Sequence, residues 1–236
     1  MPTNLAYHGS NGHYFADRAE HSTYNAYIDR PAMLELIGDV SGQRVLDAGC
    51  GAGHYAQALV DRGASVLGLE GSAELVAHAR SRLGDRAEVH QHDLNTPLDM
   101  VDGASIDGVL CALVIHHLST RPQFLSEVFR VLRPGAWFAL STTHPTSDWR
   151  HFEDSYFSQE WVELKMRDGV HSIRYQRMSM EAIIDEVLAA GFVLEQLVEP
   201  RPIDALRIDD PAAYERVNEN PTLLALRLRR PSDPPK

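Results

Sequence analysis

The sequence predicts an α/β fold: a mostly parallel sheet covered by helices on both faces. Three observations predict it. From Arg44 onward, short apolar runs alternate with segments of helical period. The runs are almost continuously apolar, as strands buried on both faces are. The first run passes directly into a glycine-rich turn that opens a helix, the kind of junction where open α/β sheets bind ligands.

Residues 44–47 form the first strand. Residues 55–62 place Ala56, Leu59 and Val60 on one helical face, and Gly63 ends that helix. Residues 65–70 (SVLGLE) are a buried second strand. Ser72 is the N-cap of a helix with Leu75, Val76, Ala79 and Leu83 at helical spacing and Gly84 as its stop. Residues 87–93 are the third strand and 106–115 (IDGVLCALVI) the fourth. A helix from about 122 to 132 aligns Phe124, Leu125, Val128, Val131 and Leu132, and Arg133-Pro134-Gly135 breaks it. Residues 137–142 are the fifth strand. A helix resumes at Ser179 with Ile183, Ile184, Val187 and Leu188 and ends at Gly191. Residues 192–198 and 223–228 are the last strands, separated by a stretch that opens with Glu199-Pro200-Arg201-Pro202.

Three regions fall outside this alternation. Residues 1–40 hold Tyr7, Tyr14, Phe15, Tyr24 and Tyr27 and a helix at 31–36, and are expected to form an N-terminal helical lid on a domain spanning 41–228. Residues 144–178 are polar, aromatic and irregular, and are expected to be an insertion that covers something. The tail, 229–236, is expected to be disordered.

The whole chain narrows the function. At 236 residues, with 44% hydrophobic and 23% charged residues, it is one domain with appendages. A net charge of −11 repels a nucleic-acid backbone, and no lysine–arginine run offsets it. Cys50 and Cys111 are expected to be reduced. With no signal-peptide pattern and no apolar stretch of spanning length, the expected location is cytoplasmic, with no membrane partner.

The densest motif is Val45-Leu46-Asp47-Ala48-Gly49-Cys50-Gly51-Ala52-Gly53-His54. Glycine permits the tight turn and lets a ligand approach the backbone, and the helix N-terminus beyond it presents amides. The spacing is not that of a dinucleotide fingerprint, because the third glycine comes one residue early. No Gly-Lys-Ser/Thr follows, so it is not a P-loop.

These residues resemble class I S-adenosylmethionine (SAM)-dependent methyltransferases, in particular the small-molecule branch that includes quinone-biosynthesis enzymes. The resemblance covers roughly residues 24–228. It implies a Rossmann-like, seven-stranded, mostly parallel sheet with the last strand antiparallel, in the order 3-2-1-4-5-7-6. It also implies that Asp47, Gly49, Cys50, Gly51 and Gly53 cradle the methionine half of SAM. Glu70, with Gly71 beside it, stands where an acidic residue binds both ribose hydroxyls. Asp93 and the Leu94 amide stand where the adenine is read, and Cys111 and Ala112 where backbone meets the methionine amino group. Tyr24, with Tyr14 and Tyr27, resembles lid residues that close over the cofactor. Ala52 and Ala136 replace a frequent proline and glycine. The amide-methylating Asn/Asp-Pro-Pro-aromatic signature is missing after the fourth strand, which disfavours DNA and protein acceptors.

The implied reaction is direct methyl displacement onto O, N or C of a small, aromatic-type acceptor, yielding S-adenosylhomocysteine (SAH), with no metal. A hydroxyl or amine acceptor would need a base. The candidates are His144, the first choice, His116 and His117. His117, Trp149, Tyr156, Phe157 and Trp161 are the expected substrate-pocket residues. A monomer or homodimer is expected. The alternative reading is a non-catalytic SAM- or SAH-binding sensor or scaffold, whose acceptor pocket would be closed.

Overall fold

The structure, a computed structural model, describes residue 7 and residues 9–166 and 169–232. Five strands come first: β1 (Arg44–Ala48), β2 (Ser65–Glu70), β3 (Glu88–Gln91), β4 (Ile106–Ala112) and β5 (Leu132–Thr143). A separate antiparallel hairpin follows, β6 (Trp161–Lys165) with β7 (Ser172–Gln176), and then β8 (Val193–Val198) and β9 (Leu223–Arg229). The main sheet has seven strands in the order β3-β2-β1-β4-β5-β9-β8. The pairings among β1 to β5 are parallel, and β9 runs antiparallel to both neighbours. This is the expected order, since β8 and β9 are the sixth and seventh strands of this sheet.

The apolar runs are continuous because both faces are covered. Leu46, Val109, Cys111, Phe138 and Leu140 pack on one face with α5 (Arg121–Val131) and α7 (Met180–Ala189). Val45, Val66, Leu110 and Ala139 pack on the other, with α2 (Arg30–Ile37), α3 (His54–Asp61) and α4 (Ala73–Leu83). Side chains alternate between the faces along each strand, so neighbours such as Leu110 and Cys111 join opposite cores.

The N-terminal region divides. α1 (Ser10–Ala19) lies over the sheet's C-terminal edge and packs on α4. A π-helical turn (Asn25–Asp29) then leads into α2, whose Met33 and Ile37 are buried in the main core. α2 is thus part of the domain rather than of a lid.

Several expectations need correction. The fourth strand stops at Ala112, because Leu113 takes a left-handed φ of 58° and a 3-10 turn (Ile115–His117) follows. Arg133-Pro134-Gly135 loops out within β5 instead of preceding it: Ile106 pairs with Leu132, and Gly108 next pairs with Trp137. The insertion is regular, holding α6 (Pro145–Phe152) and the β6–β7 hairpin. α8 (Asp204–Asp209) and α9 (Pro211–Asn218) fill the long β8–β9 connection, where no helix is read from sequence. The tail is ordered further than expected. Arg229 pairs in β9, and the Arg230 guanidinium donates to the carbonyls of Phe129 and Leu132. Residues 233–236 lie outside the described residues. Among the described residues, no helix is long and apolar enough to cross a membrane.

Candidate active site

A cavity of about 810 Å³ lies at the C-terminal edge of the sheet, between the strand ends, α1 and the insertion. The β1 end enters it through the glycine turn. Gly49 and Gly51 both have positive φ, 82° and 55°. A Cβ on Gly49 would stand 2.3 Å from a Val114 methyl carbon, so only glycine fits there. A Cβ on Gly51 would meet only the Phe15 ring, at 3.7 Å, so this part of the turn is open towards the lid. The turn is tied to β2: the Gly49 and Cys50 amides both donate to the Leu69 carbonyl.

Glu70 ends β2 on the cavity wall. One carboxylate oxygen accepts the Gly51 amide at 2.9 Å and the other accepts the Ser72 amide at 2.9 Å. A single carboxylate thus joins the glycine turn to the start of α4, where Ser72 Oγ caps the Leu75 amide. Asp93 lies on the wall two residues past β3, and its Oδ1 accepts from the Asn95 amide and side chain. Asn95 in turn accepts from Ser119. Gly71, Leu94, Ala112 and Tyr24 also line the cavity.

Four expected cofactor residues do not line it. Gly53 packs against Ala79 and Leu83 of α4, and Cys50 Sγ faces Gly68. Cys111 is sealed in the core. Asp47 lies beneath the turn, where it accepts the Ala56 amide of α3. Its Oδ2 is buried without a hydrogen-bond partner, and burial, reinforced by Glu70, pushes its pKa up to about 7. Asp29, fully buried and bonded to Tyr55 at 2.6 Å, is pushed by burial to about 6.

Comparison with known proteins gives this turn a family. A methyltransferase-domain model matches residues 46–140, the span from β1 to β5 that builds this end of the cavity. That span is thus similar to a methyltransferase domain. The chain is 43% identical over 102 residues to a probable SAM-dependent methyltransferase of Mycolicibacterium smegmatis, a match covering 43% of this chain and 38% of that protein. It is 34% identical over 127 residues to a demethylmenaquinone methyltransferase of Beutenbergia cavernae, covering 54% of this chain and 51% of that protein. Both matches thus span about half or less of these relatives' length. The fold superposes on a SAM-dependent methyltransferase from Mesorhizobium loti with a TM-score of 0.70 and 21% identity, covering 90% of this chain and 100% of that one.

The cofactor implied by the methyltransferase domain suits the residues present. The turn is open at Gly51, where a side chain would enter the space beneath Phe15, Glu70 offers a carboxylate for paired hydroxyls, and Asp47 keeps a buried oxygen unbonded beneath the turn.

The opposite end of the cavity is made of side chains from three segments. His116 and His117 come from the turn after β4, Thr143, Ser147 and Asp148 from the β5–α6 junction, and Ile173 and Tyr175 from β7. His116 Nδ1 is 2.9 Å from Thr142 Oγ1, and burial holds its pKa well below the usual histidine range. His117 Nδ1 donates to the Arg174 carbonyl at 2.8 Å. Its Nε2 therefore carries a lone pair, and that nitrogen is buried with no hydrogen-bond partner. Burial lowers the His117 pKa to about 4.

His144 does not line the cavity. It is the N-cap of α6: its Nδ1 accepts the Thr146 amide at 3.1 Å, and its Nε2 lies 3.1 Å from Glu199. Nδ1 is thus taken up by the cap, and Nε2 lies beside Glu199, off the cavity wall. The four insertion aromatics are also off the wall. Trp149 is 46% and Phe157 70% exposed, Tyr156 accepts the Met180 amide, and Trp161 packs under the Arg174 guanidinium. Arg30 donates to the Ala19 carbonyl and likewise lies off the wall. Sequence reasoning missed Asp148, Ser147 and Asn95 and gave Tyr175 no role. Pro145 supplied a usable signal, since a proline at the first helical position opens α6 and places Asp148 on it.

Proposed function

We propose that this chain transfers a methyl group from SAM to a hydroxyl oxygen or an amine nitrogen of a small-molecule acceptor. One observation carries the reading: a single cavity joins the glycine turn, Glu70 and Asp93 to a second wall of titratable side chains. Its volume lies in the range of ligand pockets, roughly 300–1,000 Å³. The sensor alternative expects a closed acceptor end, and the wall beyond Ala112 is open to the same cavity.

In this reading Glu70 takes the ribose hydroxyls, Asp93 and Leu94 face the adenine, and Gly49, Gly51 and Ala112 present main chain to the methionine half. Asp47, Cys50, Gly53 and Cys111 support that surface from behind. The cofactor supplies an electrophilic methyl on a sulfonium with a neutral thioether leaving. The protein aligns the acceptor and excludes water, which the lid's Tyr14, Phe15 and Tyr24 help to do. His117 holds the proton-accepting position. Its Nδ1 proton is fixed on a carbonyl, its Nε2 is bare, and its lowered pKa keeps it neutral across the physiological range. His116 supports its ring, with centroids 4.3 Å apart.

Calorimetry with SAM and SAH tests the cofactor half, and micromolar binding is expected. A screen of phenols, amines, thiols and carboxylates for SAM-dependent product tests the transfer. Binding without product from any acceptor class would favour the sensor, and no binding would remove both readings.

A further inference from the structure

Among the described residues, Asp148 is the one carboxylate on the acceptor wall, and its place there is unexplained by cofactor binding. It is 6% exposed, yet it lines the cavity. Tyr175 donates its hydroxyl to one oxygen at 2.9 Å, and Thr143 donates to the other at 3.0 Å. Two neutral donors hold the carboxylate in place and leave its charge uncompensated by an ion pair. Arg177, a buried cation whose charge acts on Asp148, makes its hydrogen bonds elsewhere: its guanidinium reaches Asp154 at 3.3 Å and the Ser155 carbonyl at 3.1 Å. Burial raises the Asp148 pKa despite the bonds from Tyr175 and Thr143 and the nearby charges of Arg177 and His151. Each carboxylate oxygen has a second lone pair, so Asp148 can accept further bonds from the cavity side.

Beside it, His117 keeps its N–H on the Arg174 carbonyl while its Nε2 is buried without a hydrogen-bond partner, and burial lowers the pKa of both His116 and His117. Around them lie Leu164, Ile173 and Leu223. Lys165 and His151 also line the cavity, so Asp148 is the acid on a wall of apolar, neutral and basic side chains.

We propose that Asp148, set by Tyr175 and Thr143, is the specificity determinant of the acceptor end and selects an acceptor that donates hydrogen bonds from an apolar body. The acceptor is an aryl or alkyl compound bearing an amine or hydroxyl, and carboxylate or phosphate compounds are rejected. This deepens the methyl-transfer reading, resting on it for the identity of the cavity's other half.

The test titrates benzylamine, phenol and benzoate into the SAH-saturated protein, by calorimetry and by the shifts of histidine ring resonances. Benzylamine and phenol are expected to bind and to move the His117 signals, with benzoate inert. Asp148→Asn should weaken benzylamine about tenfold or more while SAH affinity stays put. Tyr175→Phe, which keeps the charge, should leave the preference for benzylamine over benzoate intact. Benzoate binding as well as benzylamine, an unchanged benzylamine affinity in Asp148→Asn, or no probe binding at millimolar concentration would each overturn the proposal. An Asp148→Asn protein that fails to bind SAH is misfolded, and the wild-type comparison of benzylamine with benzoate then decides. If wild-type protein does not bind SAH, the methyl-transfer reading fails, and the same probes on the ligand-free protein still decide the role of Asp148.

Discussion

At the glycine-turn end the cavity is walled by strand ends and main chain; at the histidine end it is walled by side chains from three separate segments. The first kind of wall follows from local sequence. Gly49, Gly51, Glu70 and Asp93 each sit at or just past the end of a strand, and the parallel register brings those ends to one edge. The second kind depends on how an insertion folds back. His117 meets β7 through the Arg174 carbonyl, and Asp148 meets Tyr175 across 27 residues of chain. The difference teaches that one wall is set by strand ends, with Glu70 and Asp93 as its acids, and the other by side chains of separate segments that can change independently.

The comparison predicts separable losses, and the largest belongs to the acceptor end. His117→Gln removes the bare nitrogen while keeping a polar side chain of similar reach. Turnover with any productive acceptor should fall by about 10²–10⁴-fold, the usual worth of a positioned base. SAM affinity should stay within about twofold, since no cofactor contact changes. In the wild type, turnover should fall as pH drops through about 4, where His117 protonates, and hold above that. A variant that loses SAM binding along with turnover would merge the two ends and break the comparison.

Gly49→Ala attacks the other end. The new Cβ meets Val114 at 2.3 Å in a backbone with φ of 82°. The left-handed conformation alone costs about 1–2 kcal/mol. SAM affinity should fall by about 100-fold as the turn shifts, with a lower melting temperature, measured by calorimetry and thermal unfolding. Glu70→Gln is milder. It keeps the shape but loses the charge that receives the Gly51 and Ser72 amides, so SAM affinity should drop about tenfold. Wild-type affinity in both variants would show that the turn is not the cofactor site.

The same division explains what could be read from the sequence. The strands and the glycine turn were legible because periodicity and spacing are local properties, whereas the sheet order and the strand-end acids followed from the family resemblance. Asp47, Cys50, Gly53 and Cys111 were expected at the cofactor, and none of them lines the cavity. Sequence shows that a turn exists, not which of its atoms face inward. The aromatics of the insertion misled for a related reason. Trp149 and Phe157 are large and apolar, yet α6 turns Trp149 outward and both are exposed. Asp148, two positions beyond the second residue of the same helix, faces in. A short helix opened by Pro145 sets that choice. α8 and α9 went unread, although Asp210 followed by Pro211 is a start signal: the Asp210 carboxylate caps the Ala213 amide at 2.9 Å.

The smallest expected effect concerns His144, the residue that sequence favoured as the base. Its Nδ1 caps α6 through the Thr146 amide, and its Nε2 faces Glu199. His144→Ala removes a helix cap, so stability should fall by about 1 kcal/mol. SAM affinity should not change, because no cofactor-wall residue bonds to it. Turnover should fall only as far as α6 loosens, by a few-fold, since α6 also carries Asp148. His144→Asn, which can still cap, should restore both stability and turnover, whereas a base would not be rescued by an amide. A loss of 10²-fold or more that Asn fails to rescue would return the chemistry to His144 and require the ring to leave its cap during turnover.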